Sequence, residues 1–334
     1  MMKKENFTKQ PMRMCFEKMY KYEQNKIEDI KNNSNTNLRN KHIQAAVLKT
    51  NIWSIDDEIT IEFLQYKTQP EWTPIETLHS LSDNNQIDPL ENEVRLLSPS
   101  EAVKKIVTER IIPIVGIKIR FVAPNEKGIV RVSFDIDEGA WSLVGTDHKK
   151  ELIEPTLNLG WLDVGTVIHE FCHMLGLIHE HQNPDDNEIQ WNVKKVYDWA
   201  LLTQGWDEAT TYDNIIKRYS IDEINGTSYD KNSIMLYFYP DDITLNNKGT
   251  HQNFILSPTD VMFLSKTYPG GVLSPSVFYK NTYNVNITND KTNTGYSSFS
   301  LSIIIIIIII IIIFVFRFLY FYLKKKNLIS QDIK

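Results

Sequence analysis

The first half of the chain contains several short stretches in which hydrophobic and polar residues alternate. They cover residues 58–64, 117–121 and 130–134. A period of two residues is typical of β-strands that bury one face. Together with a shorter apolar stretch at 156–159, the alternation predicts four strands.

Two other segments place apolar residues at helical spacing. In residues 98–111 the apolar positions follow Ser98, Pro99 and Glu101, and a serine with a glutamate three residues later is typical of a capping box at a helix start. Residues 193–203 show a second helical pattern. We therefore expect one helix after the first strand and another in the second half of the chain.

A third helix is predicted around residues 169–180, which read HEFCHMLGLIHE, with Asp163 or Thr166 available as its N-terminal cap. The resulting order of strand, helix, three strands and helix predicts an α/β layer in the first half. Residues 182–270 contain few other periodic elements. The whole pattern predicts an α+β fold with an irregular second half.

Segments rich in polar residues flank this region and interrupt it. Residues 1–45 are rich in Asn and Lys, so we expect a polar arm or a prosegment there. Residues 67–95 have the composition of a loose insertion, and residues 271–300 are rich in Ser, Thr, Asn and Tyr, as linkers are. The expected folded domain is therefore 46–270.

The C-terminal region has a different character. Residues 301–316 are apolar except for Ser302, and residues 303–313 are an unbroken run of isoleucine. A helix over 301–323 would span roughly 35 Å, enough to cross a hydrocarbon core of ~30 Å. We predict a single-pass transmembrane helix at 301–323, followed by a basic tail at 324–334. The alternative is that the run reflects a simple nucleotide repeat.

The sequence leaves the side of the membrane that carries the folded domain open. The first 25 residues lack the apolar core of a cleaved secretory signal. A span so close to the C-terminus is typical of a tail anchor with a cytosolic domain. The cluster Lys324, Lys325 and Lys326 instead favours a cytosolic tail and an outside domain.

Charge and cysteine content exclude two classes of protein. The net charge of -6 comes from 42 acidic and 36 basic residues without a long basic block, so no nucleic-acid partner is expected. The only cysteines are Cys15 and Cys172, which cannot form the framework of a disulfide-rich domain.

The HEFCHMLGLIHE segment carries the candidate chemistry. On a helix, His169 and His173 lie one turn apart, about 6 Å along the axis, so both imidazoles can bind one metal ion with Glu170 beside them. A catalytic zinc also needs a third protein ligand and an open position for water. His179 supplies that ligand only if the helix ends first, and Gly176 is the residue that ends a helix most easily.

A buried core helix is the alternative, because a single buried histidine is usually hydrogen-bonded rather than metal-bound. Four of the eight histidines, however, fall within residues 169–181, three of them at ligand spacing. This concentration favours the metal site. His181 is the spare histidine, and we expect it at the surface or in a supporting position.

The pattern H-E-x-x-H-x-x-G-x-x-H resembles the metzincin signature, and the glutamate after the third histidine resembles its astacin-like branch. The stretch SIMLY at residues 233–237 is similar to the family's methionine turn, with Leu236 where astacins usually have histidine. The resemblance covers about residues 50–270. It implies a two-subdomain metzincin-like fold with a twisted mixed sheet, two long helices and an irregular C-terminal subdomain. The scarcity of cysteine indicates a divergent member, because astacins usually contain disulfides.

The resemblance also implies a site and an activity. One catalytic zinc ion would be bound by His169, His173 and His179. Glu170 would act as the general base for the attacking water, and Tyr237 would donate to the oxyanion. The implied protein is a zinc-dependent endopeptidase that hydrolyses peptide bonds in protein or peptide substrates.

Two other functions stay open. In one, the third ligand of a zinc peptidase is a glutamate on a later helix, although His179 after Gly176 argues against that layout. In the other, the chain is a membrane-anchored binding module with a non-catalytic zinc, although structural zinc sites usually use four protein ligands. Cys15 is expected to be an ordinary free cysteine rather than an inhibitory thiol on the zinc.

Overall fold

The computed structural model describes residues 16–18, 47–66, 68–82, 86–185, 187–220, 222–226 and 228–284. The strands are β1 (Phe16–Lys18), β2 (Val47–Leu48), β3 (Glu58–Phe63), β4 (Glu71–Trp72), β5 (Lys118–Phe121), β6 (Val130–Ser133), β7 (Ala140–Leu143), β8 (Leu157–Leu159), β9 (Trp161–Leu162) and β10 (Ile224–Asn225). The helices are α1 (Ile75–Leu81), α2 (Glu91–Val94), α3 (Pro99–Arg110), α4 (Val164–Met174), α5 (Val193–Gln204), α6 (Glu208–Thr211), α7 (Pro258–Thr267) and α8 (Pro275–Tyr283). Short 3-10 turns lie at Ile112–Ile114, Gly145–Lys149, Glu180–Gln182 and Asp241–Ile243, and a π turn follows α6 at Tyr212–Ile216.

Six strands form one mixed sheet in the order β1-β7-β8-β6-β3-β5. Neighbouring strands are parallel except for β7 and β8, which are antiparallel and pair Ser142 with Leu157. The four predicted strands are confirmed as β3, β5, β6 and β8. Alternation does not predict β7, because all four of its residues are buried and the polarity pattern therefore has no period of two.

The main core is one cluster of buried side chains from β3, β6, β8, α3 and α4. Helix α3 begins as the sequence predicts, since the carboxylate of Glu101 accepts a hydrogen bond from the Ser98 backbone N–H at 3.3 Å. Its apolar face contributes Ala102, Val103 and Ile106, which have no exposed surface. This packing of two helices with a sheet holds α4, the helix that carries His169 and His173, at the centre of the core.

Residues 67–95 are not the loose insertion that their polarity predicts. They contain β4, α1 and α2, and they bury Asp88 and Glu91 at 2% exposure each. The carboxylate of Asp88 accepts from the Arg110 guanidinium at 2.7 and 2.6 Å. A polarity pattern assigns acidic residues to the solvent, whereas these two are buried because the fold supplies partners for them.

The second half is irregular between α6 and α7, as expected, where the π turn, β10 and one 3-10 turn are the regular elements among the described residues. Helix α8 lies inside the segment that was expected to be a linker, 271–300. Its residues Phe278 and Tyr279 belong to the main core, and the Tyr279 hydroxyl donates to the backbone carbonyl of Leu256. The packed part of the chain therefore continues past residue 270.

The predicted membrane span at 301–323 lies outside the described residues. The predicted arm at residues 1–45 also lies outside them, apart from β1. Among the helices that the structure does describe, none has both the length and the apolar composition needed to cross a membrane.

Candidate metal centre

Helix α4 presents the first two histidines of the predicted site. Asp163 caps its N-terminus by accepting from the Thr166 N–H at 2.7 Å. At the other end Gly176 adopts a left-handed backbone conformation with φ of 97°, and its N–H donates to the His173 carbonyl at 2.7 Å. The chain then turns and brings His179 back towards the helix. The break that the metal pattern requires is therefore present at the predicted glycine.

The three histidines converge on one point. One ring nitrogen from each of His169, His173 and His179 lies within 4.8 Å of the other two. The Nε2 atoms of His173 and His179 are 3.0 Å apart. All three side chains are buried, with His169 the most exposed at 5%.

The hydrogen bonds of these rings fix which nitrogen is left for a cation. The Nδ1 atoms of His169 and His173 lie 2.8 Å from the backbone carbonyls of Ile234 and Leu177, respectively. A carbonyl oxygen only accepts, so each Nδ1 carries the proton and each Nε2 keeps its lone pair. Two such lone pairs aimed at one point fit a bound zinc ion. The hydrogen bonds from Nδ1 to backbone carbonyls are of the kind that usually orients metal-ligating histidines.

Burial keeps the imidazoles neutral, which metal binding requires. It lowers the pKa of His169 to about 4. For His173 and His179, burial and then the neighbouring imidazoles hold the pKa well below the ordinary value.

Glu170 follows the first histidine on α4, and its side chain has no exposed surface. A carboxylate in this position is part of the ligand helix itself, so the element that positions His169 and His173 also positions Glu170. Burial in a low-dielectric site strengthens the interactions of a carboxylate with any nearby cation or proton donor.

Tyr237 joins the cluster from the 233–237 stretch. Its hydroxyl lies 2.5 Å from Nε2 of His179 and 3.2 Å from Nε2 of His169. Met235, two residues earlier, is buried at 1% exposure in the same core cluster as α4. The backbone carbonyl of Met235 accepts from the Glu180 N–H at 3.0 Å. The structure thus brings together His169, His173, His179 and Tyr237, which come from two separate segments, while Glu170 is buried on the helix that carries the first two histidines.

His181 is not at the surface, which was one of its two expected positions. It has no exposed surface, and its ring stacks on that of His179 with a centroid distance of 5.4 Å. Its Nε2 lies 2.9 Å from the Asn214 carbonyl and 3.1 Å from the Tyr239 hydroxyl. His181 therefore packs against the ring of His179, and the 3-10 turn Glu180–Gln182 directs the His181 side chain into the core.

Sequence reasoning missed Glu91, which lies at the N-terminus of the ligand helix. Its carboxylate accepts from the Val164 N–H at 2.8 Å and pairs with Arg95 at 2.6 Å. Burial and the nearby Asp163 raise the pKa of Glu91 to about 7. No local pattern could have found this contact, because 73 positions separate the two residues.

A small cavity opens beside His169 and Tyr237. It is lined by Trp161, Thr166, Leu236, Gln252 and Asn253, among others. Leu236 and Asn253 also border a neighbouring cleft of about 1120 Å³. The cleft has room for several side chains of a peptide and adjoins the small cavity beside His169 and Tyr237.

Comparisons with known proteins agree with the geometry. The family model for astacin, peptidase family M12A, matches residues 116–257. Zinc metalloproteinase nas-13 of Caenorhabditis elegans is 31% identical over 116 residues, which are 34% of this chain and 23% of that protein. Zinc metalloproteinase nas-4 of the same organism is 34% identical over 101 residues, 30% of this chain and 29% of that protein. The chain thus spans less than a third of the length of these relatives.

The likeness to a solved structure covers more of the fold. The structure of myroilysin is 27% identical, with a TM-score of 0.52, and the match covers 67% of this chain and 98% of that one. The region that the family model matches contains the metal ligands and the methionine turn that the resemblance had indicated. Residues 116–257 therefore match the model of the astacin family of zinc metallopeptidases, peptidase family M12A, and the fold is similar to that of myroilysin.

Proposed function

We propose that this chain is a zinc-dependent endopeptidase that hydrolyses peptide bonds in proteins or peptides. The observation that carries the proposal is the convergence of three neutral, buried imidazoles on one point next to a buried glutamate on the same helix. Three protein ligands leave the fourth tetrahedral position for water, as catalytic zinc sites do.

Each residue has a distinct role in this proposal. His169, His173 and His179 hold the zinc ion, which when bound lowers the pKa of water and polarises the scissile carbonyl. Glu170 takes a proton from the attacking water and later delivers it to the leaving amine. The Tyr237 hydroxyl, already at the histidine cluster, donates to the negative oxygen that forms during attack.

The cleft beside the site supports a peptide substrate. Its lining includes residues 228–232 and most of the residues between 246 and 258. Its lining mixes apolar side chains such as Phe254 and Leu256 with backbone and polar groups, which suits an extended chain with varied side chains.

A Glu170→Gln variant of the full-length chain tests the proposal. Zinc content by elemental analysis and cleavage of a mixed peptide library are measured for wild type, for the variant and for a Glu208→Gln control on an exposed helix. We expect about one zinc per chain in all three proteins. Loss of the general base should lower cleavage by the variant about 10²–10⁴-fold, with the control unchanged.

The other outcomes separate the remaining functions. Zinc in every protein and cleavage by none would favour the binding module with a non-catalytic zinc. A His179→Ala protein that keeps its zinc would favour the layout in which a later glutamate is the third ligand.

Attachment to a membrane is a separate part of the proposal. The apolar run at 301–323 supports a single C-terminal span. Both orientations of the folded domain relative to the membrane fit this span. In detergent phase separation the full-length chain should enter the detergent phase, and a chain that ends at Asn284 should stay in the aqueous phase. Full-length protein in the aqueous phase would refute the span.

A further inference from the structure

The start of helix α7 is connected to the metal centre through one buried carboxylate. Asp260 has no exposed surface. Its carboxylate accepts from the Ser257 N–H at 2.8 Å, which completes a capping box, since the Asp260 N–H donates to the Ser257 hydroxyl at 3.0 Å. A capping box needs only these two bonds.

Asp260 accepts two further hydrogen bonds, and both come from the methionine turn. The Ile234 N–H donates to it at 2.8 Å, and the Ser233 hydroxyl donates at 2.8 Å. The Met235 N–H in turn donates to the Ser233 oxygen at 3.1 Å. One carboxylate thus fixes three consecutive residues of the turn.

The same turn holds the metal ligands from its other side. The Ile234 carbonyl accepts from Nδ1 of His169 at 2.8 Å, so the two backbone groups of one residue join Asp260 to a ligand ring. The Met235 carbonyl accepts from the N–H of Glu180, the residue directly after His179. Two of the three ligands are therefore tied to the turn that Asp260 holds.

We propose that Asp260 is a positioning residue of the metal centre, which fixes the Ile234 carbonyl and through it the ring of His169. The inference rests on the zinc site of the proposed function but not on peptide cleavage. Both carboxylate oxygens of Asp260 accept hydrogen bonds, one from the Ser233 hydroxyl and the other from the N–H groups of Ile234 and Ser257. A turn held by them keeps the carbonyl aimed while the metal binds, and metal affinity depends on such outer hydrogen bonds.

A second capping box in the chain serves as a control for a residue that only caps a helix. Helix α3 also begins with a capping box, formed by Ser98 and Glu101. Those two residues bond to each other at the protein surface. Substitution of Glu101 should therefore weaken a helix start and leave the metal site as it was.

The test compares full-length Asp260→Asn with Glu101→Gln. Zinc dissociation constants are measured by competition with a chelator, the Co²⁺-substituted proteins are examined by visible absorption, and unfolding of the metal-free proteins is followed in urea. We expect Asp260→Asn to weaken zinc binding about 10- to 100-fold and to alter the Co²⁺ spectrum. Glu101→Gln should lower the unfolding midpoint only.

If Asp260→Asn lowers metal-free stability but leaves the zinc constant and the Co²⁺ spectrum as in wild type, Asp260 is only a helix cap and the proposal is wrong. Should that variant fail to fold, Ser233→Ala replaces it, because it removes the two side-chain hydrogen bonds of the turn and keeps the cap. Weakening of about fivefold or more, on the scale of one or two hydrogen bonds, would then support the proposal, and unchanged binding would overturn it.

The same measurements separate this inference from the proposed function. Asp260-dependent zinc binding by a wild-type protein that cleaves nothing would support the positioning role and refute the peptidase. A wild-type protein that binds neither Zn²⁺ nor Co²⁺ would refute both.

Discussion

Glu91 gives the most direct test of how the fold treats buried charge around the ligand helix. Its carboxylate is 2% exposed and accepts the first backbone N–H of α4, that of Val164. Asp163, also buried, caps the same helix end. Burial and the charge of Asp163 outweigh the pairing of Glu91 with Arg95 at 2.6 Å, so the pKa of Glu91 rises from 4.5 to about 7.

This shift sets the sign of a pH effect on stability. Because the folded state holds the proton of Glu91 more tightly than the unfolded state does, the free energy of unfolding falls as the pH rises from 4.5 to about 7. A shift of this size corresponds to at most roughly 3 kcal/mol at 1.36 kcal/mol per pKa unit. The contribution is fully present below pH 4.5 and is lost above about pH 7.

A Glu91→Gln variant removes the titration and keeps a carbonyl oxygen for the Val164 N–H. Urea unfolding followed by tryptophan fluorescence would be measured at several pH values between 4.5 and 8 for wild type, for the variant and for Glu93→Gln. Glu93 is an exposed residue of the same helix α2. We expect the wild type and the Glu93→Gln control to lose stability with rising pH relative to Glu91→Gln. Parallel curves for all three proteins would refute the reasoning.

Two further predictions concern the site itself. Gly176→Ala places a Cβ on a residue with φ of 97°, so we expect the free energy of unfolding in urea to fall by about 1–3 kcal/mol. Zinc binding should also weaken, because the position of His179 depends on this turn. A variant with wild-type stability and zinc affinity would contradict this. Tyr237→Phe should retain zinc and lose about 10²–10³ in kcat on a peptide substrate, and an unchanged kcat would show that the hydroxyl has no role in the transition state.

The local sequence determined those features that depend only on neighbouring residues. The spacing of His169, His173 and His179 with Gly176 fixes both the ligand set and the helix break, because helix geometry and the left-handed freedom of glycine act within one or two turns. Alternation likewise predicts β3, β5 and β6, since apolar and polar residues alternate along each of them. The resemblance added Tyr237, because no periodic pattern links this residue to the histidines so far away along the chain.

Other features were decided by contacts between distant segments. Glu91 reaches Val164, Asp260 reaches Ile234, and helix α8 packs into a core whose members extend back to Trp53. A polar residue has the same local signature whether it faces water or a buried partner. Only the tertiary structure supplies the partner that offsets the cost of burying its charge, so only the tertiary structure decides which acidic residues hold the metal centre in place.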